Sequence, residues 1–374
     1  MNTDTGDFSP IWTIGFMSGT SIDAVDAAII RTDGEKVYEF GPVSERKFTP
    51  DERAEISAAV DAARTWNWEG TPPQSTFDAA MRVLNRAHKD AFDDAVAQCV
   101  PDKKPVLAGV HGQTVLHKAP LNGSKGRTLQ ILDAPSLKHM FGVPLAFDFR
   151  ADDVDAGGEG APLAPVYHLA LIADLEQPVA VLNLGGVANL TYINGDEIFG
   201  FDCGPANGPV DEWVMKHHQG TYDADGHAAR QGEVHAERLA DWMSHPYFKR
   251  SYPKSLDRYD FNADLADGLS FNDGCATLTA FSAAGVASGL SLFPKPVTKV
   301  VVCGGGRLNP FLMDELNQRC PVPVVTAEDE GWRGDSIEAE AFALLAVRSK
   351  RGLPLSFPGT TGVPHPLTGG KLIE

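Results

Sequence analysis

The chain of 374 residues contains 32 Lys and Arg residues against 50 Asp and Glu residues, which gives a formal net charge of −18. Proteins that coat DNA or RNA neutralise phosphates with an excess of basic residues, so this charge argues against that class. A hydrophobic share of 43% with 22% charged residues is typical of a folded globular protein, and the length predicts two domains or one very large one.

Cysteine usage and the N-terminus indicate a cytoplasmic protein. The five cysteines are an odd number and form no CxxC pair, which argues against a disulfide framework and a structural zinc site. The N-terminal MNTDTGDFSP is polar and acidic, whereas a secretory signal has a basic region before an apolar one. No apolar stretch reaches ~18 uninterrupted residues, so the sequence predicts no membrane span.

Predicted strands and helices alternate along the first half of the chain. Residues 11–16 and 24–30 are apolar runs rich in Ile and Val, and the turn-forming residues between them predict a β-hairpin. The following predicted elements are a strand at 37–40, a helix that Pro50 opens, a helix at 75–98, and buried strands at 105–112 and 143–149. This alternation predicts an α/β layer architecture.

The pattern restarts at residues 179–193, where an apolar run, a Gly-containing turn and a second apolar run recur. Later predicted elements are helices at 208–218, 270–291, 309–319 and 336–350, with a strand at 298–306. The two hairpin turns lie about half the chain apart, which predicts two similar halves with a ligand cleft. We expect domains at residues 1–150 and 151–374, with an approximate boundary and the option that the C-terminal helix packs back on the first domain.

The segment GFMSGTSIDAVD, residues 15–26, is the first candidate binding site. Small residues and hydroxyls occupy its turn, so that backbone N–H groups can converge on an anion: Gly19, Thr20 and Ser21. Asp23 and Asp26 add carboxylates that suit a divalent cation beside a phosphate. The string alone leaves open a plain hairpin turn with a solvated Asp, and no GK[ST] follows that would make it a Walker loop.

A second candidate turn lies in TKVVVCGGGRLNP, residues 298–310. A predicted strand runs into three glycines, and a helix begins near Asn309 and Pro310, so backbone amides and a helix N-terminus lie where a nucleotide could approach. An ordinary strand-to-helix turn without a binding role is the alternative for this string alone. Together with the two Gly-containing hairpins, the turn favours a nucleotide cleft.

Residues 147–165, FDFRADDVDAGGEGAPLAP, combine charged side chains with a flexible glycine-rich segment beyond a predicted strand end. Binding residues concentrate in such loops, which makes Asp148 and Arg150 the notable residues of this segment. A solvated acidic loop is the alternative, and it accounts better for the remaining carboxylates than for the arginine: Asp152, Asp153 and Asp155.

Asp202 is the candidate general base. In GFDCGPANGPVDEW, residues 200–213, it lies between Phe201 and a Gly-Pro turn that leads into a helix. A carboxylate held there could activate a hydroxyl or a water molecule, as an Asp does in kinases. A structural turn Asp is the alternative interpretation.

Two smaller signals are HGQTVLH, residues 111–117, and YPKSLDR, residues 252–258. The two histidines of the first string lack the spacing of a metal-binding helix, so hydrogen bonding is the better interpretation. The second string brings Lys254 and Arg258 into an acidic chain, and it predicts an anion contact or, equally well, a surface salt bridge.

Taken together, these segments resemble the anhydro-N-acetylmuramic acid kinase family. The matching strings are collinear from about residue 13 to residue 373, and they include MSGTSIDAVD, HGQTVLH, NLGGVANLT, GFDCGPANGPVDEW, VVCGGGRLNP and SIEAEAFALLAVR. That family belongs to the acetate and sugar kinase, heat-shock chaperone and actin superfamily. The resemblance therefore implies two ribonuclease H-like α/β domains of the actin-like ATPase type, with a central cleft that closes on ATP.

The resemblance implies a reaction in which 1,6-anhydro-N-acetylmuramic acid, ATP and water give N-acetylmuramic acid 6-phosphate and ADP, within cell-wall recycling. Hydrolysis of the internal 1,6-ether and phosphoryl transfer happen together in that reaction. ATP and magnesium are the implied cofactors, and the sugar is the implied partner. A homodimer is the family-level expectation, while no nucleic acid or membrane partner is expected.

The resemblance also implies roles for individual residues. Asp202 would activate water for attack on the anomeric carbon, and Glu338 would hold the sugar or assist with its hydroxyls. The implied phosphate loop for ATP, with Asp23 and Asp26 as metal ligands, consists of Gly19, Thr20, Ser21, Ile22, Asp23, Ala24, Val25 and Asp26. The implied nucleotide contacts from the other half are Gly185, Gly186, Gly304, Gly305 and Gly306. The implied sugar contacts are His111, Gln113, Arg150, Gly160 and Asn207.

The sequence departs from the family pattern at four places. Ala24 and Ala206 stand where glycine is usual, Glu159 stands where Gln is usual, and PKSLDR lacks a usual Thr-Gly. An alanine with positive φ carries a strain cost on the order of 1 kcal/mol. These departures keep open a kinase for a different anhydro-sugar. The other alternative is a non-catalytic, chaperone-like ATP-binding protein of the same superfamily.

Overall fold

The computed structural model describes residues 8–19, 21–120, 124–252, 254–256 and 260–374. Contacts divide the chain into two compact units. Unit 1 comprises residues 1–173 together with 336–374, and unit 2 comprises residues 174–335. This division differs from the boundary expected at residue 150, and it gives the C-terminal segment to unit 1 instead of the second domain.

Most of the predicted elements are present, with ends that shift by a few residues. The strands are β1 (Ile11–Met17), β2 (Ala24–Thr32), β3 (Val37–Lys47), β4 (Ala108–Val110), β5 (Gln113–Lys118), β6 (Arg127–Ile131), β7 (Leu145–Phe147), β8 (Val179–Leu184), β9 (Val187–Asn194), β10 (Glu197–Pro205), β11 (Lys299–Cys303), β12 (Val324–Thr326) and β13 (Lys371–Ile373). The helices are α1 (Pro50–Trp66), α2 (Gln74–Ala97), α3 (Ala134–Phe141), α4 (Ala151–Asp155), α5 (Pro165–Leu171), α6 (Asn207–Lys216), α7 (His227–Arg230), α8 (Ala236–Met243), α9 (Phe271–Leu290), α10 (Pro310–Arg319), α11 (Ile337–Arg351) and α12 (Pro358–Thr361).

Unit 1 is built on a six-stranded mixed sheet with the order β13-β7-β4-β1-β2-β3. Strands β1, β2 and β3 form an antiparallel meander, β4 is parallel to β1, and β7 is parallel to β4. Helix α1, which begins at the predicted Pro50, has a capping box between Thr49 and Glu52. Apolar faces of α1 and α2 join those of β1 and β2 in one core.

Unit 2 is built on a five-stranded sheet with the order β10-β9-β8-β11-β12. Strands β8, β9 and β10 are antiparallel, while β11 is parallel to β8 and β12 is parallel to β11. Numbered within each sheet, the strands of unit 2 have the order 3-2-1-4-5, and five strands of the unit 1 sheet have the same order and directions, with β13 added antiparallel at the edge beside β7. The predicted α/β class and the duplicated ribonuclease H-like architecture are therefore confirmed.

Helix α11 explains why the C-terminal segment belongs to unit 1. A Cβ at Gly15 in β1 would lie 2.0 Å from the Ala339 carbonyl oxygen, and one at Gly109 in β4 would lie 2.1 Å from that of Phe342. Only glycine therefore allows the backbone of α11 to lie directly on these two strands. The helix also contacts α5, so that the chain leaves unit 1 only after Ala173.

Within the described parts of the chain, no helix combines the length and the apolar character that crossing a lipid bilayer requires.

Candidate active site

Asp202 of unit 2 lies in β10, where the register with β9 shifts between Asp202 and Gly204. Its Oδ1 accepts a hydrogen bond from Asn189 Nδ2 at 2.9 Å, and its Oδ2 accepts one from the Leu256 backbone N–H at 2.9 Å. Because both oxygens have a donor, the carboxylate has a fixed direction. Asp202 therefore lies at a strand bulge, not in the plain turn of the alternative interpretation.

Burial raises the pKa of Asp202, although the side chain retains partial access to solvent. The two hydrogen bonds and the Lys254 ammonium act in the opposite direction and favour the ionised form. A carboxylate with a raised pKa is a stronger base than a free Asp. The site therefore combines a fixed orientation with increased basicity.

The segment that contains Lys254 supports Asp202 from one side. The Asp202 backbone N–H donates to the Lys254 carbonyl oxygen at 3.1 Å, and the Tyr247 hydroxyl donates to the Asp202 carbonyl oxygen at 2.6 Å. Lys254 is 4% exposed, and its ammonium donates to the Tyr247 carbonyl oxygen at 3.2 Å and lies 4.5 Å from the Tyr247 ring centre. A buried Lys254 is not the surface salt bridge of the alternative interpretation. Arg258 lies outside the described residues.

The turn at Gly185 and Gly186 connects β8 to β9 and is tied to the start of α6. The backbone N–H groups of Ala206 and Asn207 donate to the Gly186 and Gly185 carbonyl oxygens at 3.1 and 3.0 Å. A Cβ at Gly208 would lie 2.9 Å from the Gly186 carbonyl oxygen, which explains this third glycine. These hydrogen bonds fix the position of the turn relative to the start of α6.

The second glycine turn of unit 2 follows β11 and packs against the end of β8. Gly304 has a φ of +76°, and a Cβ there would lie 2.4 Å from Asn183 Oδ1. A Cβ at Gly306 would lie 2.6 Å from Leu184 Cβ, whereas the Cβ position of Gly305 faces open space among the described residues. Two of the glycines are therefore required for packing, and the third leaves the backbone accessible.

A cavity of about 430 Å³ opens beside Gly305 within unit 2. Its lining includes Asn207 and Asp211 from α6 and two exposed apolar side chains, Tyr222 at 63% and Leu308 at 60%. Ligand pockets of ~300 to 1,000 Å³ are usual for small molecules. The exposed apolar side chains suit the base of a nucleotide, and the polar groups with the accessible glycine backbone suit its phosphate chain.

Arg150 of unit 1 is held by two neutral acceptors. Its Nε donates to His111 Nε2 at 2.7 Å, and its Nη1 donates to the Gly160 carbonyl oxygen at 2.6 Å. Because His111 Nε2 accepts, the imidazole is neutral with its proton on Nδ1. Burial, together with the Arg150 charge, lowers the pKa of His111 well below its usual value. His111 therefore orients the guanidinium and does not itself titrate near neutral pH.

The loop that carries Gly160 is fixed by Asp153. Asp153 Oδ1 accepts a hydrogen bond from the Gly160 N–H at 2.7 Å, and Oδ2 accepts one from the Thr361 hydroxyl at 2.6 Å. Asp153 is only 2% exposed. The interpretation of Asp153 as a solvated loop acid is therefore wrong, because both of its carboxylate oxygens are used inside unit 1.

Glu338 is the second residue of α11, and its side chain is exposed. It forms no ion pair or hydrogen bond with the residues that the structure describes. Desolvation by the surrounding protein raises the pKa of its carboxyl, while the Arg150 guanidinium acts to lower it. Three of the predicted residues, His111, Arg150 and Gly160, thus form one hydrogen-bonded cluster in unit 1, and the Glu338 carboxyl lies within electrostatic range of Arg150.

The predicted contact residue Gln113 has a different position. Its side chain is fully buried, its Oε1 accepts from Ser18 Oγ at 2.7 Å, and its Nε2 donates to the Gly19 carbonyl oxygen at 3.2 Å. Both ends of the amide are therefore engaged with the β1–β2 turn. Gln113 fixes that turn in place, and the structure gives it no free polar atom among the described residues for a sugar.

The comparison with known proteins decides the family. The family model described as anhydro-N-acetylmuramic acid kinase matches residues 11–373. The anhydro-N-acetylmuramic acid kinase of Rhizobium rhizogenes is 47% identical over 370 residues, which cover 98% of this chain and 100% of the relative. The corresponding protein of Phenylobacterium zucineum is 49% identical over 365 residues, or 96% of this chain and 99% of the relative. The chain belongs to the anhydro-N-acetylmuramic acid kinase family.

The two alanines that depart from the kinase family pattern are not strained by a positive φ. Ala24 begins β2, and Ala206 has a φ of −124°. The left-handed residue of the first turn is Ile22, with a φ of 55°, although Gly19 was the expected site of backbone freedom. Ile22 donates its N–H to the Gly19 carbonyl oxygen at 3.2 Å, and Thr20 lies outside the described residues.

Asn207, an implied sugar contact in the kinase family, lies beside the glycine turns of unit 2. Its Nδ2 donates to the Leu184 carbonyl oxygen at 3.3 Å, and the residue lines the cavity next to Gly305. This position groups Asn207 with the residues expected to approach the nucleotide. A sugar contact by Asn207 stays a prediction.

Asp23 and Asp26, the two metal ligands that the resemblance implies, lie just before β2 and within it. Asp23 is ion-paired with Arg53, and the Phe48 N–H donates to its carbonyl oxygen at 2.9 Å, which extends the ladder beyond β2. Residues three apart on an extended strand project from opposite faces. Among the described residues there is no group of three or more His, Cys, Asp or Glu side chains suited to a metal ion. The magnesium assignment therefore stays a prediction.

Sequence reasoning missed three residues that shape the site: Asn189, Asp153 and Thr361. Asn189 lies in the conspicuous string NLGGVANLT, and its strand position opposite Asp202 follows from the β9–β10 pairing. A prediction of β10 would have found this contact. Asp153 and Thr361 are 208 residues apart in the chain, so no local pattern could have paired them.

Proposed function

We propose that the chain is an ATP-dependent kinase that converts 1,6-anhydro-N-acetylmuramic acid and water into N-acetylmuramic acid 6-phosphate, with release of ADP, in peptidoglycan recycling. The near full-length match to the family supports the reaction class. The structural observation that carries the proposal is Asp202, a carboxylate with both oxygens held by neutral donors and a pKa raised by burial.

Asp202 would remove a proton from the water molecule that attacks the anomeric carbon. A bond forms between the water oxygen and C1, and the bond between C1 and O6 breaks. O6 then bonds to the γ-phosphorus of ATP, and the bond from that phosphorus to the departing ADP oxygen breaks. Each oxygen of the carboxylate keeps a second lone pair beyond its hydrogen bond, so the base remains able to accept the proton.

ATP would be the ligand of the cavity beside Gly305. The exposed faces of Tyr222 and Leu308 would cover an apolar base, which removes the cost of leaving them in water. The glycine turns would admit the phosphates close to the backbone because no side chain covers Gly186 or Gly305 among the described residues. The role of the segment from Gly19 to Asp26 as a phosphate loop is part of the same proposal.

Arg150 would bind the carboxylate of the sugar. His111 and Gly160 use its Nε and Nη1, and its Nη2 makes no hydrogen bond to the described residues. Nη2 therefore remains available for a carboxylate, and a charge-assisted hydrogen bond is among the stronger contacts a protein can offer. Glu338, which lies near Arg150 and has no partner among the described residues, would accept from a sugar hydroxyl.

The test is ADP release by the purified full chain with ATP, magnesium and 1,6-anhydro-N-acetylmuramic acid. Wild type should turn over, and Asp202→Asn should lower kcat by about 10²- to 10⁴-fold with little change in KM, because only the base is lost. Asp241→Asn, an exposed change in α8, is the matched control and should keep wild-type activity. In ¹⁸O-labelled water the label should enter at the anomeric hydroxyl.

Equal ADP release by wild type and Asp202→Asn would overturn the assignment of the base. Turnover with another anhydro-sugar and none with this one would favour the alternative substrate that Ala24, Ala206 and the altered PKSLDR segment leave open. ATP binding without acceleration by any sugar would instead favour the chaperone-like alternative.

A further inference from the structure

Arg307 follows the three glycines of the second turn, and its side chain is only 3% exposed. Its Nη1 donates to the Gly304 carbonyl oxygen at 3.0 Å and to Asp335 Oδ1 at 2.7 Å. Its Nη2 donates to Asp335 Oδ2 at 2.8 Å, which makes the pair with Asp335 bidentate. Its Nε donates to both carboxylate oxygens of Glu328 at 3.0 Å. All three nitrogens of the guanidinium are therefore engaged.

The segment from Glu328 to Asp335 fits closely around this guanidinium. A Cβ at Gly334 would lie 2.2 Å from Arg307 Nε, so only glycine fits there. The Gly334 N–H donates to Glu328 Oε1 at 3.2 Å, which holds the carboxylate in place. The two acids are half-exposed or more, and isolated exposed ion pairs contribute little. Here a buried, planar donor fixes the direction of both carboxylates.

Arg307 thereby joins two places that matter for the proposed reaction. One is Gly304, whose positive φ sets the course of the turn beside the cavity. The other is Asp335, the last residue of unit 2, after which the chain enters unit 1 at Ser336 and begins the helix that carries Glu338. All three partners of the guanidinium, Gly304, Glu328 and Asp335, lie inside unit 2, and their link to Glu338 is through the chain itself.

We infer that Arg307 is a positioning residue for the nucleotide, which holds the Gly304–Gly306 turn in its binding conformation. This inference rests on the proposed function, since it takes the turn to be the nucleotide contact. Without the guanidinium the Gly304 carbonyl keeps only the Arg307 backbone N–H at 3.2 Å, and Asp335 loses its two hydrogen bonds from Arg307. The turn would then sample other conformations, and the nucleotide would have to order it on binding.

The test compares Arg307→Met with wild type by calorimetric titration of ADP into the full chain without sugar. Arg307→Met should raise the Kd for ADP by about tenfold or more, since hydrogen bonds to charged groups are lost. The KM for ATP should rise in parallel, whereas the KM for the sugar should stay within about twofold of wild type. Arg307→Lys, which keeps the charge but not the fork, should give an intermediate Kd.

Arg319→Met is the matched control. Arg319 is also in unit 2 and pairs with the buried Glu315 through two hydrogen bonds, but it lies on α10 and lines no part of the cavity. Its loss should lower the melting temperature without changing the Kd for ADP. If Arg307→Met does not fold, Asp335→Asn is the alternative variant. It weakens the ion pair between Arg307 and an exposed carboxylate, and it should also weaken ADP binding.

A folded Arg307→Met variant with the wild-type Kd for ADP and KM for ATP would overturn the inference and leave Arg307 a structural residue. Equal increases in both KM values would also overturn it. Wild-type protein that binds no ADP would overturn the proposed nucleotide site as well, so the two failures are distinguishable.

Discussion

Arg150 in unit 1 and Arg307 in unit 2 are both held by several hydrogen bonds, but the charge of their partners differs. Arg150 donates to a neutral imidazole and a backbone carbonyl, and burial lowers its pKa. Arg307 donates to two carboxylates, and its pKa is raised. Neutral acceptors orient a cation without cancelling its charge, whereas carboxylates neutralise it. The partners thus support the proposals that Arg150 binds an anionic ligand and that Arg307 positions a turn.

The largest effect in this comparison is expected when Arg150, the cation that neutral partners orient, is replaced. Arg150→Met should raise the KM for the sugar by about 10- to 100-fold, because a charge-assisted hydrogen bond to the substrate carboxylate is lost. The KM for ATP should stay near wild type, the reverse of the pattern expected for Arg307→Met. Steady-state kinetics with each substrate varied in turn measures the split.

The control for Arg150 is 1,6-anhydro-N-acetylglucosamine, which lacks the lactyl carboxylate. Wild type and Arg150→Met should use it with similar, low efficiency. A large loss with this sugar too would show that Arg150 acts on the fold of the loop and not on the carboxylate.

A smaller effect is expected when the orienting acceptor is changed. His111→Leu leaves Arg150 Nε without an acceptor and should raise the KM for the sugar by roughly fivefold, whereas His111→Gln, whose amide oxygen can accept, should recover part of the loss. Because the pKa of His111 lies well below neutral, neither variant should alter the pH profile of kcat/KM between pH 6 and 8. A titration step that disappeared with His111 would contradict its neutral, orienting role.

The smallest effect is expected when Asn189, the neutral donor to the Asp202 carboxylate, is changed. Asn189 donates to Asp202 and so lowers its pKa from the value that burial alone would give. Asn189→Leu should therefore raise the pKa of Asp202, and the acid limb of the kcat/KM profile should move to higher pH by less than about one unit. Asn189→Asp would place a like charge beside the base and should move it further in the same direction. A shift to lower pH in Asn189→Leu would exclude this hydrogen bond as a determinant of basicity.

Much of the architecture followed from local patterns in the sequence. The apolar runs of β1, β2, β8 and β9 and the helical periodicity of α2 are confirmed because each is encoded within a short window. Strand β10 was not predicted, because its Gly and Pro residues indicate a turn. That omission hid the bulge in which Asp202 lies.

Long-range pairing explains the rest of what sequence reasoning could not reach. The resemblance implied Arg150 and Gly160 as sugar contacts, yet not the hydrogen bonds of Arg150 to His111 and Gly160. In the sequence, Gln113 is simply a polar residue after a predicted strand. Its hydrogen bond with Ser18 depends on the position of β5 beside the first turn, which no local pattern predicts. Asp153 looks like a surface acid until Thr361 is brought to it by the fold of the C-terminal segment.

The direct contact of α11 with Gly15 and Gly109 has a consequence for the order of assembly. The strands that need this helix are translated before unit 2, and the helix itself is translated after it. Unit 2 is contiguous in sequence and can fold as soon as it emerges, since domains generally fold as units. The sheet of unit 1, although translated before unit 2, is therefore completed after it, because Gly15 and Gly109 stay uncovered until α11 is made.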